Sequence, residues 1–293
     1  MTSEKPLIVI VGPTASGKTG LAVRLAKQFG GEIISADSRA VYRGLDIGSA
    51  KPSIDEREDV PHWGIDIVEP NQRFTAVDFQ RYATEMIAAI RARGHVPFLV
   101  GGTGLYVDSI LYDYQFPAVA DDLNRRDELM KLSLEELYEY CLKNNVELPE
   151  NAKNKRYVVN NILRKGRILK RKETILANTV VVGISTEKTI LRTRIEKRAA
   201  DMFASGIVNE ALELAKKHGW EGEAMTGNIY PLIHDYTDEC ITKDEAVQKS
   251  IVQDWQLAKR QNTWFRRNEH VVWLSADDAY TYVAHRLAPG SDS

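Results

Sequence analysis

Residues 8–19 read Ile-Val-Ile-Val-Gly-Pro-Thr-Ala-Ser-Gly-Lys-Thr, and the rest of the 293-residue chain is arranged around them. Ile8 to Val11 is a short β-branched run and predicts a buried strand. Gly12-Pro13-Thr14-Ala15-Ser16-Gly17-Lys18-Thr19 follows at once, and Gly20 to Lys27 then repeats apolar residues at helical spacing. Strand, Gly-x-x-x-x-Gly-Lys-Thr, helix is the full context of a phosphate-binding loop. Its backbone N–H groups and the positive end of the helix make an anion nest. Lys18 adds a point charge, and the Thr19 hydroxyl can hold a magnesium ion. The motif marks Gly12, Pro13, Thr14, Ala15, Ser16, Gly17, Lys18 and Thr19 as a diphosphate or nucleotide site. It leaves open which polyphosphate binds and what becomes of it.

Composition sets the outer limits. With 43% hydrophobic and 27% charged residues the chain has ordinary globular make-up, enough for one large α/β domain with an insertion or for two domains. The formal charge of −2 carries no global sign of nucleic acid, so any basic surface has to be local. Cys141 and Cys240 show no metal-type spacing and are expected to be inert core thiols in a reducing cytoplasm. The first strand begins almost at the N-terminus, and no apolar run reaches the length of a membrane span. A cytoplasmic protein without membrane contact is expected.

Along the chain, strands and helices alternate. Glu32 to Ala36 reads as a second buried strand that ends at Asp37. His62 to Val68 reads as another, and Val96 to Val100 as a further one, ending in Gly101-Gly102-Thr103-Gly104-Leu105-Tyr106. Ala76 to Arg93 carries Val77, Tyr82, Met86 and Ile90 at helical spacing, with Gly94 as its stop. Such alternation predicts an α/β fold with a P-loop NTPase-like parallel sheet flanked by helices, and ligands beyond the carboxyl ends of the strands. Three polar loops converge there: the phosphate loop, the one opened by Asp37, and the one around Thr103.

The pattern changes near Pro117. Residues 121–172 hold no strand-like run, and Ser133-x-x-Glu136 is a capping box. A helical insertion domain over 117–177 is expected, set between core segments 1–116 and 178–293. From Lys153 to Lys172 there are nine Lys and Arg and no acid, which favours a phosphate-backbone contact surface over a plain solvated face. The sheet resumes at Thr179 to Ile184. A long helix follows over Lys188 to Ala204, where Arg194 and Arg198 share a face and can clamp a diphosphate opposite Lys18. Thr242-x-x-Glu245 caps another helix running towards Arg267, Val271 to Leu274 is a short last strand, and the tail from Ala288 is expected to fray. Trp264 and Phe265 read as core residues, and the scattered histidines lack metal spacing.

Two enzyme classes fit these residues. A small kinase would use the loop for ATP and the basic insertion as a lid. A transferase would instead hold the diphosphate of an activated alkyl donor, with substitution at carbon and diphosphate leaving. Asp37 would then accept the proton of an attacking amine, although a carboxylate at that place also suits a magnesium ligand. A non-catalytic RNA-binding protein is a third reading, and it has no need of Lys18, Thr19, Asp37 and Thr103 together.

Seven segments in this order resemble the tRNA dimethylallyltransferase (isopentenyltransferase) family along nearly the whole chain. They are Gly12 to Thr19; Ser35-Ala36-Asp37-Ser38-Arg39 with Val41-Tyr42; Asp46 to Pro52; Val60-Pro61-His62; Gly101 to Tyr106; Arg194-Ile195-x-x-Arg198 with Met202 and Gly206; and Ala258-Lys259-Arg260-Gln261-x-Thr263-Trp264-Phe265-Arg266. The resemblance implies transfer of a dimethylallyl group from dimethylallyl diphosphate to the exocyclic N6 amine of the adenosine 3′-adjacent to the anticodon. The acceptor adenosine is flipped out of the tRNA anticodon stem-loop. By motif, Asp37 is the implied general base, Thr103 a second catalytic contact near the amine, and Arg198 a diphosphate ligand beside Lys18 and Thr19. Mg2+ is the implied cofactor, on Thr19. Asp37, Ser38, Arg39, Ala40, Thr103, Lys155 and Arg156 are the implied tRNA contacts. A monomer with no obligate protein partner is implied as well.

The departures from the family pattern fall in the RNA-contacting regions. Ala40 stands where the family often has Gln. Lys155-Arg156-Tyr157-Val158-Val159-Asn160 keeps one arginine of Arg-x-x-Arg-Ala-Leu-Glu, and the insertion is short between Pro117 and Asn154. Asn228-Ile229-Tyr230-Pro231 keeps only the tyrosine of Gly-Tyr-Lys/Arg. The donor site is intact.

Overall fold

A computed structural model describes residues 4–117, 123–149, 151–167, 169–227 and 229–288. It divides into two compact units, Met1–Leu111 with Ile175–Ser293, and Tyr112–Thr174.

The first unit is built on a six-stranded, all-parallel sheet. Its strands are β1 (Leu7–Val11), β2 (Gly31–Ser35), β3 (His62–Trp63), β4 (Val96–Gly101), β5 (Thr179–Ile184) and β6 (Val272–Leu274), in the spatial order β3-β2-β4-β1-β5-β6. Every residue of β1 and β4 is buried, as expected for inner parallel strands covered on both faces. Val11 lies opposite Gly101, so the chain leaves β1 and β4 at the same level and on the same edge. That edge is where the strand order reverses, and it carries the site.

Helix α1 (Lys18–Phe29) follows β1 directly, and its buried face (Leu21, Ala22, Leu25, Ala26) packs on the sheet. Next come the short α2 (Ile54–Arg57), α3 (Ala76–Ala92) and α4 (Gly104–Leu111). The buried face of α3 is Phe79, Ala83, Ile87 and Ile90, while Val77 is 49% exposed. Of the expected stripe, Ile90 is buried, Tyr82 and Met86 are half-buried beside that face, and only Val77 is turned outward. The Thr75–Asp78 capping box starts the helix, with Val77 as its second residue. The strand expected over His62 to Val68 stops after Trp63, because Gly64 (φ 78°) and Asp66 (φ 54°) are left-handed and break the extended run.

The second unit is helical, with α5 (Leu123–Lys131), α6 (Leu134–Lys143) and α7 (Lys155–Leu163) around Leu129, Leu137, Cys141, Val158, Val159 and Ile162. The Ser133–Glu136 capping box forms as expected. The unit begins at Tyr112 rather than 117, and a backbone pairing explains why. Gln115 N–H donates to Lys170 O and Lys172 N–H donates to Tyr112 O, both at 2.8 Å. The two ends of the segment are thereby closed on each other before Pro117. Of the basic run, Lys155 to Leu163 is helical, and its described residues from Arg164 on are turn and irregular chain apart from the bridge at Lys170.

The chain then returns to the first unit as α8 (Lys188–Ala204), α9 (Ile207–His218), α10 (Tyr230–Thr237), α11 (Lys243–Phe265) and α12 (Ala276–Leu287). The last of these covers Ala22, Leu25 and the strand face with Ala279 and Val283, and the sequence reading did not anticipate it. Cys141 is buried, and burial pushes its thiol up, but Cys240 is exposed at the end of α10, which corrects the expected core placement. Residues 289–293 of the tail and Asn228 lie outside the described residues. No helix among the described residues is long and apolar enough to cross a membrane.

Candidate active site

The phosphate loop owes its shape to alternating backbone hands. Ala15 (φ 61°) and Gly17 (φ 89°) are left-handed, which turns successive N–H groups towards one concavity and starts α1 at Lys18. The Lys18 ammonium donates to Pro13 O at 2.6 Å and so bends back over the loop. Dense packing around this ammonium pulls its pKa down to about 8. The Asp37 charge acts in the opposite direction, and Arg198 adds to the fall. Lys18 is thus held in a pocket that favours a negative partner.

Two arginines reach the loop from α8, one helical turn apart. Arg194 Nη1 donates to Ala15 O at 3.4 Å, and Arg198 Nη1 donates to the Thr14 hydroxyl. Arg198 is held from behind by Asp254 on α11, whose carboxylate accepts from Nη2 at 3.1 Å. Both members of the i, i+4 pair thus contact the phosphate loop. Arg192, the third arginine of that helix, pairs with Glu196 instead. Two polar atoms beside these arginine contacts, Ser16 Oγ and Arg198 Nε, are buried without a hydrogen-bond partner among the described residues. Each can donate, and a phosphate oxygen is an acceptor of the kind that would satisfy each.

The acceptor side is built from the chain ends of β2 and β4. Asp37 Oδ1 accepts from the backbone N–H of Arg39 (2.8 Å) and Ala40 (3.3 Å), an Asx-type turn. Its second oxygen has no hydrogen-bond partner among the described residues. The Thr103 hydroxyl accepts from Ser38 N–H at 3.0 Å, and Thr103 N–H donates to Ala36 O at 3.1 Å. Thr103 is thus hydrogen-bonded to the residues on either side of Asp37, and the Asp37 carboxylate to the turn that follows it, beside the phosphate loop.

The remaining expected contacts are placed as follows. The Arg39 guanidinium donates to Glu223 O (2.8 Å) and to the Thr226 hydroxyl (3.1 Å). Ala40 is 4% exposed, with its side chain in the core. Lys155 and Arg156 lie in the first turn of α7, within the helical unit, with Arg156 exposed. Thr19, the second residue of α1, is exposed and its hydroxyl makes no hydrogen bond among the described residues. No group of three or more His, Cys, Asp or Glu gathers as a cation site among the described residues. An ion on Thr19 would have to complete its shell with oxygens of a bound phosphate, and an oxygen donor suits magnesium.

Sequence reasoning gave no role to three residues. Gln261 accepts from Thr14 N–H (2.8 Å) and donates to Gly102 O (3.1 Å). Asp254 orients Arg198. Glu210 on α9 accepts from the backbone N–H groups of Asp46 (3.0 Å), Ile47 (2.6 Å) and Gly48 (2.9 Å) and from the Tyr230 hydroxyl (2.8 Å). Asp254 and Gln261 are polar residues on the inward face of α11, which is a signal a sequence offers for both, and Gln261 also stands in the family-like segment from Ala258 to Arg266.

Similarity to known proteins bears on the assignment. A family model described as IPP transferase matches residues 40–268, and one described as isopentenyl transferase matches residues 5–62. The chain is 38% identical to the tRNA dimethylallyltransferase of Geobacillus kaustophilus, over 94% of this chain and 92% of that one. It resembles the crystal structure of the tRNA isopentenylpyrophosphate transferase from Bacillus halodurans, with a TM-score of 0.75, 34% identity and 97% of both chains covered. The corresponding enzyme structure from Staphylococcus epidermidis gives a TM-score of 0.72 at 34% identity, over 96% of this chain and all of that one. These matches run through the phosphate loop, the Asp37 and Thr103 loops and the arginine pair alike. The chain belongs to the IPP transferase family.

Proposed function

We propose that this chain transfers a dimethylallyl group from dimethylallyl diphosphate to the exocyclic N6 amine of the adenosine 3′-adjacent to the anticodon in tRNA, releasing diphosphate. One observation carries the reading. The Asp37 carboxylate, with one oxygen tied to the backbone and the other without a hydrogen-bond partner among the described residues, stands in the loop that Thr103 holds through Ser38, beside a phosphate loop where Ser16 Oγ and, from α8, Arg198 Nε lack a partner among the described residues. The names of the full-length relatives support the same reaction and do not favour a kinase.

In this reading the amine nitrogen attacks the donor carbon as the carbon–oxygen bond to diphosphate breaks, and the bond electrons leave with diphosphate. The amine proton passes to the untied oxygen of Asp37. Thr103 orients the amine. Lys18 and Arg198 meet the charge that grows on the leaving oxygen, where fixed donors in a dry pocket act most strongly. A magnesium ion bound through Thr19 and the phosphate oxygens would supply further neutralisation of that charge. Ser38 and Arg39, and in the helical unit Lys155 and Arg156, are the proposed tRNA contacts, whereas Ala40 is buried in the core and offers RNA no side-chain contact. The enzyme is taken as a cytoplasmic monomer.

The test is transfer of label from dimethylallyl diphosphate to an anticodon stem-loop in the presence of magnesium, with wild type beside Asp37→Ala and with ATP plus nucleosides as control substrates. Label in the RNA that depends on Asp37 and ignores ATP is the expected result. Transfer that survives Asp37→Ala within about threefold would return Asp37 to a metal or positioning role. ADP formation without RNA label would make the protein a kinase.

A further inference from the structure

The donor-binding and acceptor-binding loops leave neighbouring strands at the same level, with Val11 opposite Gly101. Among the described residues, however, no direct hydrogen bond joins residues 12–19 to residues 102–103. The link between them is a single carboxamide. Gln261 Oε1 accepts from Thr14 N–H at 2.8 Å, and Nε2 of the same group donates to Gly102 O at 3.1 Å. The chemistry of the partners fixes the orientation, since an N–H faces one end and a C=O the other. The fit is close, because a Cβ at Gly102 would lie 2.3 Å from Gln261 Nε2.

The rest of this α11 face serves both sides. Asp254, Ala258, Gln261 and Trp264 follow at intervals of four, three and three residues, which places them on one stripe. Asp254 holds Arg198, whose other end touches Thr14. Ala258 packs in a cluster with Leu191, Ile195 and Ala15. Trp264 lies against Gly104, where a Cβ would meet its ring at 2.3 Å, and its Nε1 donates to Asp108 at 2.8 Å.

We infer that Gln261 is a positioning residue that sets the register between the donor loop and the acceptor loop, so that the alkyl carbon and the amine meet at the right distance. It touches neither substrate. Each loop keeps its own anchors without Gln261: Pro13 O and Lys18 on one side, Ala36 and Ser38 on the other. Loss of the link therefore leaves each substrate able to bind and impairs the step that needs both. The inference rests on the prenyl-transfer reading above.

The experiment compares wild type with Gln261→Met and Gln261→Glu in the transfer assay, with magnesium diphosphate binding by calorimetry and the melting temperature measured on each. Gln261→Met removes both hydrogen bonds at similar volume. Gln261→Glu keeps the acceptor for Thr14 N–H and sets an oxygen against Gly102 O. Both should lose about tenfold to 100-fold in kcat, as misplacement of reactants by fractions of an ångström does. Diphosphate affinity and the KM for RNA should stay within about threefold, because uniform binding is untouched. A kcat within about twofold of wild type in both variants, or a loss shared equally with diphosphate affinity and the RNA KM, overturns the inference while the reaction stands. A wild-type enzyme that labels no RNA overturns both.

Discussion

The Thr103 hydroxyl accepts a hydrogen bond from the backbone N–H of Ser38 at 3.0 Å, so the loop after β4 fixes the residue that follows Asp37. The carboxylate is held from both directions, by its own turn onto Arg39 and Ala40 and by this cross-loop contact. Thr103→Val keeps the shape of the side chain but removes the acceptor. We expect kcat to fall about tenfold to 100-fold, with diphosphate affinity unchanged. Thr103→Ser retains the oxygen and should stay within about threefold of wild type. Equal rates for the two variants in the transfer assay would show that the hydroxyl is dispensable.

Far from the site, at the amino ends of β2 and β4, Glu32 is a carboxylate with 3% side-chain exposure. Burial alone would raise its pKa. Hydrogen bonds from Arg93 (2.9 and 2.7 Å), His95 (2.6 Å) and Trp63 (2.6 Å) outweigh that and hold it at about 2. A carboxyl held below its ordinary value stabilises the fold above that value, and the contribution is lost as pH falls through the native one. The window for Glu32 therefore runs from the ordinary carboxyl value of 4.5 down to about 2. Glu32→Gln should cost about 1–3 kcal/mol at neutral pH, from donors left without a charged acceptor. Urea unfolding at several pH values should show the gap to wild type closing towards pH 2. A constant gap across the range would mean that Glu32 contributes through shape alone.

Glu210 gathers three consecutive backbone N–H groups and the Tyr230 hydroxyl onto one carboxylate. The loop from Asp46 to Lys51 is thereby pinned to α9, and Gly48 is required, since a Cβ there would meet Tyr230 Oη at 2.5 Å. This accounts for Tyr230 as the part of its segment shared with the family pattern. Glu210→Ala should lower stability by about 2–3 kcal/mol, since several donors lose their acceptor together. Tyr230→Phe, which removes one donor and leaves the other three bonds, should cost about 1 kcal/mol. Equilibrium unfolding of the two variants compares them directly, and equal costs would contradict a shared carboxylate anchor.

The parts of the structure that were legible in the sequence are those written in adjacent residues. The apolar run Leu7–Val11, the glycine pattern after it and the capped helices at Ser133 and Thr242 each follow from local chemistry, and each formed where expected. Helix α3 was legible as a helix, and its stripe held at Ile90 and, half-buried, at Tyr82 and Met86, but not at Val77, the exposed second residue of the helix. The extended run after His62 was cut short by left-handed residues whose non-glycine member, Asp66, carries no such signal. Of the site, the phosphate loop, Asp37 and Thr103 were legible through their motifs. The bonds that join them were not. Thr14 and Gln261 are 247 positions apart, and Arg198 and Asp254 are 56 apart, so only the folded sheet brings them together.

That last pair carries its own consequence. Asp254 is a mostly buried carboxylate whose contact with Arg198 Nη2, at 3.1 Å, leaves Nη1 on Thr14 and Nε without a partner among the described residues. The arginine is therefore pre-set, with its donor face directed to the phosphate loop before any ligand arrives, and ordering it costs little on binding. Asp254→Asn keeps the size and one acceptor oxygen but removes the charge. Arg198 then gains freedom, and the expected effect is a rise of about tenfold in the donor KM and in the magnesium diphosphate Kd, with the RNA KM unchanged. This pattern is the opposite of the one expected for Gln261, although both residues stand on the same face of α11. Asp254 acts on one substrate's binding, and Gln261 on the step that needs both. Asp254→Asn with unchanged donor affinity but a reduced kcat would place the aspartate in the register of the two loops and remove its role as the orienting partner of Arg198.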